Sequence, residues 1–498
     1  MRSIVRYSII LAILLMNSSS ALTQGYLSKF VPLEFLPNTI HLSYEDGKYI
    51  VSSINFVNDI STSTIIELDE NFDTIRTINH LEVLFGRKTP QKLNGKYFAY
   101  AADETTNRET HLLIEMDENF SEIKRDTFYP DGNSHNANGM TIIGDKIIGS
   151  AWDYYDCEEL NECTFMNYKV ISTEGEELQS FNVDEEGEPY FFSFEVDHTA
   201  DGDIICGGNR YELPYAKASV YKSTQEGNIL WKYESTQRQS RGNVPVWVEE
   251  LSNGNIVYTD KLDKLFDDDY IDLGYSLLPA QLVWLSPDGD SLFSYLDTVN
   301  WASSSEFSGI KRGRGDYFFA YGQYYLNHLD PMEFDAVYGS IMKITNDGEI
   351  VWRRLYKHSD DPYGTPTIAH IYEHENGDIS TLGREVNDDG FFMWMMRVNE
   401  HGCLGDISCD FPMILPVADL SGNGHEDNIK IYPNPTSDIL NIKSETIPER
   451  VEVFTIDGAL VLTKEGSDNI NITNISSGLF FIKIFHNGKV SIRSFIKY

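Results

Sequence analysis

Two kinds of residue in this sequence could do chemistry. The first is aromatic side chains set beside carboxylates: Trp152, Asp153, Tyr154, Tyr155 and Asp156; Tyr211 and Tyr215; Phe266, Asp267, Asp268, Asp269, Tyr270 and Tyr275; Tyr324, Tyr325, Asp330 and Asp335. Trp247 and Trp301 stand apart from these runs. Exposed Tyr and Trp offer large, rigid contact area at little entropic cost, and they stack on sugars or pack on proteins. Trp152, Tyr154, Trp247, Tyr270 and Trp301 are therefore the candidate ligand contacts. The competing reading is that such rings pack their own loops together. The second kind is histidine and carboxylate that could act as acid, base or metal ligand. His370 and His374 are four apart, but on a strand that spacing separates them by roughly 13 Å, too far to share an ion. His135, in Asn133-Ser134-His135-Asn136-Ala137-Asn138, reads as a hydrogen-bonding residue just before an inner strand. Asp267-Asp268-Asp269 lacks the alternating spacing and closing Glu of a calcium loop. No nucleophile elbow, zinc-protease, phosphate-loop or dinucleotide motif is present. No catalytic residue, metal site or cofactor is assigned. Carboxylates abound, yet spacing along the chain does not reveal whether two converge at catalytic separation.

These residues belong to connections between strands. A turn precedes a short apolar strand at Asp46-Gly47, Asn94-Gly95, Gly144-Asp145, Asp201-Gly202, Asn253-Gly254, Gly315-Asp316 and Asn376-Gly377, spaced by roughly 48 to 62 residues. Asn-Gly and Asp-Gly suit two-residue hairpins, where both positions take positive φ. A second turn follows in every repeat: Asp69-Glu70-Asn71, Asp117-Glu118-Asn119, Glu174-Gly175, Glu226-Gly227, Asp288-Gly289, Asp347-Gly348 and Glu400-His401-Gly402. Each repeat thus holds four strands, and seven repeats of four strands predict a seven-bladed β-propeller over 22–412. In the first two repeats Asn71-Phe72 and Asn119-Phe120 replace the glycine, and Asn is expected to take the left-handed position. The pattern resembles bacterial secreted propellers whose blades read Asp-Gly-x-apolar-Trp, as in Asn228-Ile229-Leu230-Trp231 and Glu349-Ile350-Val351-Trp352. The last repeat lacks a fourth strand, and Tyr26 to Val31 is expected to supply it by pairing near Phe391 to Val398. Alternation places the strand two-to-three and four-to-one connections on one face, where the long loops and their aromatics are expected to gather.

Beyond a polar break at 413–428, which includes Ser421-Gly422-Asn423-Gly424, period-two strands suggest a small C-terminal β-sandwich over 429–498. Tyr432-Pro433-Asn434-Pro435-Thr436 with Asp438, then Val453 to Gly458, then Ser477-Gly478-Leu479-Phe480-Phe481-Ile482, resemble the type A sorting domain of the Bacteroidetes type IX secretion system. That resemblance implies handling by the secretion machinery, export across the outer membrane, removal of this domain and surface attachment.

The N-terminus agrees with export. Arg2 and Arg6 precede the apolar run Tyr7 to Met16 and a small-residue site at Ser19-Ser20-Ala21, a signal peptide over 1–21. The run is too short for a permanent span, and no later stretch is long and apolar enough. A secreted or cell-surface chain permits disulfides, so Cys157–Cys163 and Cys403–Cys409 are the expected pairs, with Cys206 a buried thiol. Hydrophobic residues at 41% exclude wholesale disorder. A net charge of -38 repels phosphate backbones and excludes non-specific nucleic-acid binding. Two classes of function remain: a surface binder of a glycan or protein, or an extracellular polysaccharide-degrading enzyme with acids in the propeller funnel.

Overall fold

The computed structural model describes residues 28–33, 40–57, 60–86, 88–106, 110–128, 133–155, 163–182, 191–212, 215–236, 239–240, 245–261, 280–297, 303–327, 334–356, 365–387, 390–404, 430–432, 436–444, 447–455, 460–475, 478–486 and 489–497. The chain is all-β apart from one described 3-10 turn, Glu104–Thr106, and it divides into Met1–Ile407 and Ser408–Tyr498.

Each repeat of the first unit folds as an antiparallel sheet whose strands follow chain order. The first runs Ile40–Glu45, Lys48–Val57, Ile60–Leu68 and Thr74–Leu81. The strands that open the later sheets are Gln91–Leu93, with Val83–Phe85 ahead of it, then Asn133–Ile143, Phe191–His198, Val248–Glu250, Ser303–Arg312 and Thr367–Glu373. The seventh sheet takes its fourth strand from the other end of the chain. Ser28–Leu33 lies antiparallel to Gly390–Val398, in register from Ser28 opposite Met396 to Leu33 opposite Phe391. The expected pairing is therefore present from Ser28 on; Tyr26 and Leu27 lie outside the described residues.

Neighbouring sheets share hydrophobic cores. Ile50 and Ile65 of the first repeat meet Val83 and Leu112 of the second, Tyr100 meets Ile147 of the third, and Tyr168 meets Ile204 of the fourth. Val220 meets Tyr258 of the fifth, Trp284 meets Phe318 of the sixth, and Phe319 meets Trp394 of the seventh. A further cluster joins Leu382 and Met395 of the seventh back to Leu42 and Tyr49 of the first.

The second turn of every repeat is built alike. Its first residue presents a side-chain oxygen to backbone N–H groups two or four residues on: Asp69, Asp117, Ser172, Thr224, Ser286, Thr345 and Asn399. The left-handed position is glycine in the later repeats, as at Gly175, Gly227, Gly289, Gly348 and Gly402. In the first two repeats that position is Phe72 and Phe120, each at φ 59, rather than the Asn expected. Both rings are buried, Phe72 against Tyr49 and Phe120 against Tyr97. Burying a Phe, worth about 1.5–3 kcal/mol, offsets a left-handed penalty of about 1–2 kcal/mol.

The first turns are more varied than Asn-Gly and Asp-Gly suggest. Both central residues have positive φ at Asp46-Gly47 and Asn94-Gly95, whereas at Asp201-Gly202, Asn253-Gly254 and Asn376-Gly377 only the glycine does. The second group are longer turns, closed for example by Gly202 N–H to Thr199 O at 2.9 Å. Nor are all connections at the opposite end long. Only two residues separate strands two and three in the first, fourth and seventh repeats, at 58–59, 213–214 and 388–389.

In the second unit, Lys430–Tyr432, Ile439–Lys443 and Asn469–Asn471 form one sheet, and Arg450–Thr455, Leu460–Glu465, Gly478–His486 and Lys489–Lys497 another. Leu440, Ile442 and Ile470 of the first share a core with Val451, Ile482 and Phe495 of the second. Of the motif residues, Tyr432 is exposed and Gly478 opens a strand; the Asp438 carbonyl accepts the Ile472 N–H at 2.8 Å. Pro433, Asn434, Pro435 and Gly458 lie outside the described residues, as does the break at 413–428.

Candidate functional site

The first strands bring a set of charged side chains together. Alternation along each strand buries Val196, Val248 and Ile310 in hydrophobic clusters and turns the following residue, Asp197, Glu249 or Lys311, away from them. Lys88 joins from the second repeat. Its segment runs tightly past the third sheet: a Cβ on Gly86 would lie 2.8 Å from Gly139 N, so only glycine permits this approach. From there Lys88 Nζ reaches the fourth repeat and donates to Val196 O at 2.6 Å and Asp197 Oδ2 at 3.0 Å. The third repeat adds Thr141, whose hydroxyl donates to Asp197 Oδ1 at 3.3 Å and lies 2.8 Å from His198 Nδ1. Lys311 Nζ of the sixth repeat stands 3.9 Å from Glu249 Oε2 of the fifth. The seventh and first repeats complete the set with His370, whose Nε2 is 2.8 Å from His41 Nδ1, so one ring donates to the other.

The two carboxyl groups are driven apart. Burial works to raise Asp197, but the Lys88 ammonium, the hydrogen bonds from His198 and Lys88 and the Lys311 charge hold it well below the usual range. Burial also raises Glu249, and there it prevails: the Asp197 charge adds to it, against the lowering influence of Lys311, Lys88 and the Arg312 backbone. Burial, then the charges of Lys311 and Lys88, push His370 down to about 3, which keeps it neutral. Asp197 nevertheless retains 23% side-chain exposure and Glu249 13%, so both are deep but wetted. An ionised carboxylate and a carboxyl group biased toward its acid form, between two ammonium groups, can exchange protons or hold an anionic group.

The histidines with metal-like spacing separate. His370 faces His41, whereas His374 Nε2 contacts Tyr49 Oη at 3.0 Å and Ser380 Oγ at 2.8 Å, a closed and buried triangle. Among the described residues no three His, Cys, Asp or Glu side chains gather as a metal site. His135 lies within a strand, not before one. Cys206 is a buried free thiol. Cys403 is buried, while Cys157 and Cys409 lie outside the described residues, as does the side chain of Cys163.

Several aromatics expected in loops are in strands, because the strands extend further than their apolar runs. Trp152 and Tyr154 end strand two of the third repeat, with Trp152 opposite Asn136 and Met166 and Tyr154 opposite Asn133 and Thr164. Tyr211 and Tyr215 flank a tight hairpin in the fourth repeat. Tyr324 is 1% exposed and Tyr325 donates to Gln323 Oε1 at 2.6 Å. Trp247 is half-buried against the core shared by the fifth and sixth sheets, and its backbone N–H donates to Thr259 Oγ1 at 2.9 Å. Tyr270, Trp301 and Asp267 to Asp269 lie outside the described residues. The strand-one cluster was the group that sequence reasoning missed. Its one signal is that Asp197 and Glu249 each stand five residues ahead of their turn glycine, at Gly202 and Gly254.

Residues 430–498 match the family model described as the secretion system C-terminal sorting domain. This chain therefore carries a type IX sorting domain and is a secreted or outer-membrane surface-attached protein handled by that machinery. Among the described residues no helix is long and apolar enough to cross a membrane. No curated protein matches the chain. Solved structures similar to it include a polysaccharide lyase, Uly1, at 10% identity and TM-score 0.42, covering 74% of this chain and 91% of that one. Another is the β-propeller domain of the Trilobed protease from Pyrococcus furiosus, at 11% identity and TM-score 0.40, with 72% and 94% covered. A third is Trypanosoma rangeli sialidase, at 10% identity and TM-score 0.37, with 95% and 89% covered.

Proposed function

We propose that the mature region from residue 22 to 412 is a seven-bladed β-propeller that the type IX system delivers to the cell surface, where it binds a glycan or a protein. The carrying observation is the cycle of shared cores, each sheet joined to the next and the seventh to the first. Such a ring puts the first strands around an axis and the strand two-to-three and four-to-one connections at one end. Ligand contact falls to Trp152, Tyr154, Trp247, Tyr270 and Trp301 at that end. Trp152 and Tyr154 finish a strand two and Trp247 precedes a strand one, which antiparallel alternation assigns to the same end. The C-terminal unit is read as a β-sandwich, and Cys157–Cys163 and Cys403–Cys409 as disulfides. Screening the mature protein on a glycan array, then single Ala variants on both faces, tests the assignment. An aromatic that anchors the ligand loses about 2 kcal/mol or more of binding on truncation. Loss confined to variants in the Gly turns overturns it.

A second reading, degradation of a polysaccharide by acidic residues in the propeller funnel, is favoured by one observation: Asp197 and Glu249 are pushed in opposite directions, as an acid–base pair requires. Product analysis with wild type, Asp197→Asn and Glu249→Gln separates it from binding alone. Bound ligand recovered intact by all three excludes it.

A further inference from the structure

We infer that the outer face of the larger sheet in the second unit is the surface by which a protein of the type IX secretion machinery takes hold of this chain, through apolar contact centred on Phe454 and Phe485. This rests on the sorting-domain match at 430–498 and not on any ligand of the first unit. The pattern of the strands is the starting point. A sheet covered on one side alternates apolar and polar residues, whereas a strand covered on both sides reads as a near-continuous apolar run. Gly478–His486 reads Gly-Leu-Phe-Phe-Ile-Lys-Ile-Phe-His, apolar at both phases, and the sorting-motif run Gly478 to Ile482 is its first half. One phase, Phe480, Ile482 and Ile484, is accounted for by the core shared with the smaller sheet. The other phase is Leu479, Phe481 and Phe485, with Lys483 among them.

Register gathers further apolar residues at this second phase. Phe481 stands opposite Phe454, Leu479 opposite Ile496 and Phe485 opposite Val490, and directly opposed residues of an antiparallel pair share a face. Val451 and Val453 are buried in the core, so alternation along Arg450–Thr455 puts Phe454 on the outer face. Phe454 and Phe485 are half-buried and stand outside that core. The Arg450 guanidinium lies 4.1 Å from the centroid of the Phe485 ring and the Lys483 ammonium 5.0 Å from it. Arg450 also pairs with Glu452 at 3.1 Å. Aromatic residues in the middle of a patch with charged groups around them are the anatomy of a protein–protein contact.

The distribution of charge favours contact over long-range attraction. Residues 430–498 hold eight Lys and Arg against seven Asp and Glu, a net charge of +1, so the rest of the chain carries -39. A nearly neutral unit neither draws nor repels a partner at a distance and is held by what it touches. The partner follows from the same unit: its family match places it with the secretion machinery, which meets a folded unit at its surface. The smaller sheet offers the competing surface, where Tyr432 and Ile439 are 52% and 49% exposed. Register sets them among Asn441, Asn469 and Asn471, so that sheet keeps the apolar-in, polar-out alternation of a solvated face.

The experiment puts the photo-cross-linking residue benzoylphenylalanine in place of Phe485, or of Ile439, in the full chain, inside cells that carry the type IX system. Illumination is expected to give, from position 485, an adduct that mass spectrometry identifies as a component of that machinery, and little or none from position 439. Phe454→Ser and Phe485→Ser are expected to lower the protein recovered at the cell surface by about tenfold or more, as loss of an interface anchor does, and to leave precursor in the periplasm. Ile439→Ser is expected to leave the surface level unchanged. Denaturant melts of the purified full chains check that the variants still fold, and where one does not, the cross-link decides. An adduct of twice the chain's mass assigns the face to a second copy and overturns the proposal. A cross-link within the chain assigns it to this chain's own residues and does the same. Equal machinery adducts from both positions, no adduct at all, or folded serine variants that reach the surface at the wild-type level also overturn it. An array that finds no ligand for the first unit bears on the ligand reading alone and leaves this test as it is.

Discussion

At Gly289 the backbone holds φ at 86°, and a Cβ placed there would lie 2.6 Å from the Trp231 ring of the preceding repeat. Both the left-handed conformation and the covering indole demand glycine. Gly289→Ala is expected to destabilise the first unit by more than about 1 kcal/mol, the left-handed penalty alone. Urea unfolding checks this, and an unchanged midpoint would mean that the indole swings aside without loss. His111 makes a different residue-scale case. It is fully buried, 2.9 Å from Tyr100 Oη, and burial followed by the Lys169 charge pushes it down to about 3 from 6.5. Above pH 6.5 neither the folded nor the unfolded state holds the proton, so the group is neutral to stability there. Between 6.5 and 3 the unfolded chain takes a proton that the folded one refuses, so stability falls with pH by up to about 1.4 kcal/mol per unit. His111→Gln is expected to reduce the loss of stability between pH 6 and 4.5, measured by denaturant melts at each pH. An identical slope in the variant would assign the acid sensitivity elsewhere.

At the scale of elements, the fourth strands tie one repeat to the next. Arg76 Nη2 donates to Glu118 O at 2.9 Å, Gln179 Nε2 to Glu226 O at 2.7 Å, Trp231 Nε1 to Pro287 O at 2.8 Å and Trp352 Nε1 to Glu400 O at 3.1 Å. Lys124 does the same to Glu174 O. Each donor reaches a carbonyl in the second turn of the following sheet, which explains why a long polar or indole side chain follows the apolar residue there. Ser28–Leu33 extends the series across the chain ends. Lys29 pairs with Asp73 in the second turn of the first repeat, and Trp394 Nε1 donates to Ser28 Oγ at 3.1 Å. Deleting residues 22–33 removes both ties and uncovers the edge of Gly390–Val398. We expect a large drop in melting temperature or aggregation through that edge. A melting temperature unchanged from the full chain would show that the strand contributes nothing to closure.

At the scale of the whole molecule, the chain divides at Ile407 and Ser408 into a large unit and a small one, and among the described residues the small one has a core of its own. A unit with an independent core can be removed without unfolding the other. Together with the sorting domain at 430–498, this leads us to expect that surface-purified protein begins near Leu22 and ends within about residues 411 to 428. Terminal mass analysis checks both ends, and a surface form that keeps Tyr498 would count against removal.

What the sequence determined by itself was local or periodic. Turn pairs such as Asn376-Gly377 and Asp347-Gly348 need particular backbone angles, and those needs are written in residue type. The strand count, the missing fourth strand and the sorting motifs followed from the same local chemistry. Phe72 shows where that stops: its left-handed φ is tolerated because Tyr49 and a neighbouring sheet bury the ring, and no local rule contains that neighbour. Tyr324 was read as a loop residue because its strand continues past the apolar run, held by pairing with Tyr338. The charged cluster gathered around the first strands lay furthest from view. Lys88, Asp197, Glu249 and Lys311 are separated by many tens of residues and become neighbours only when the sheets close on one another. Their charges are set by burial and by each other, and both are properties of the tertiary structure alone.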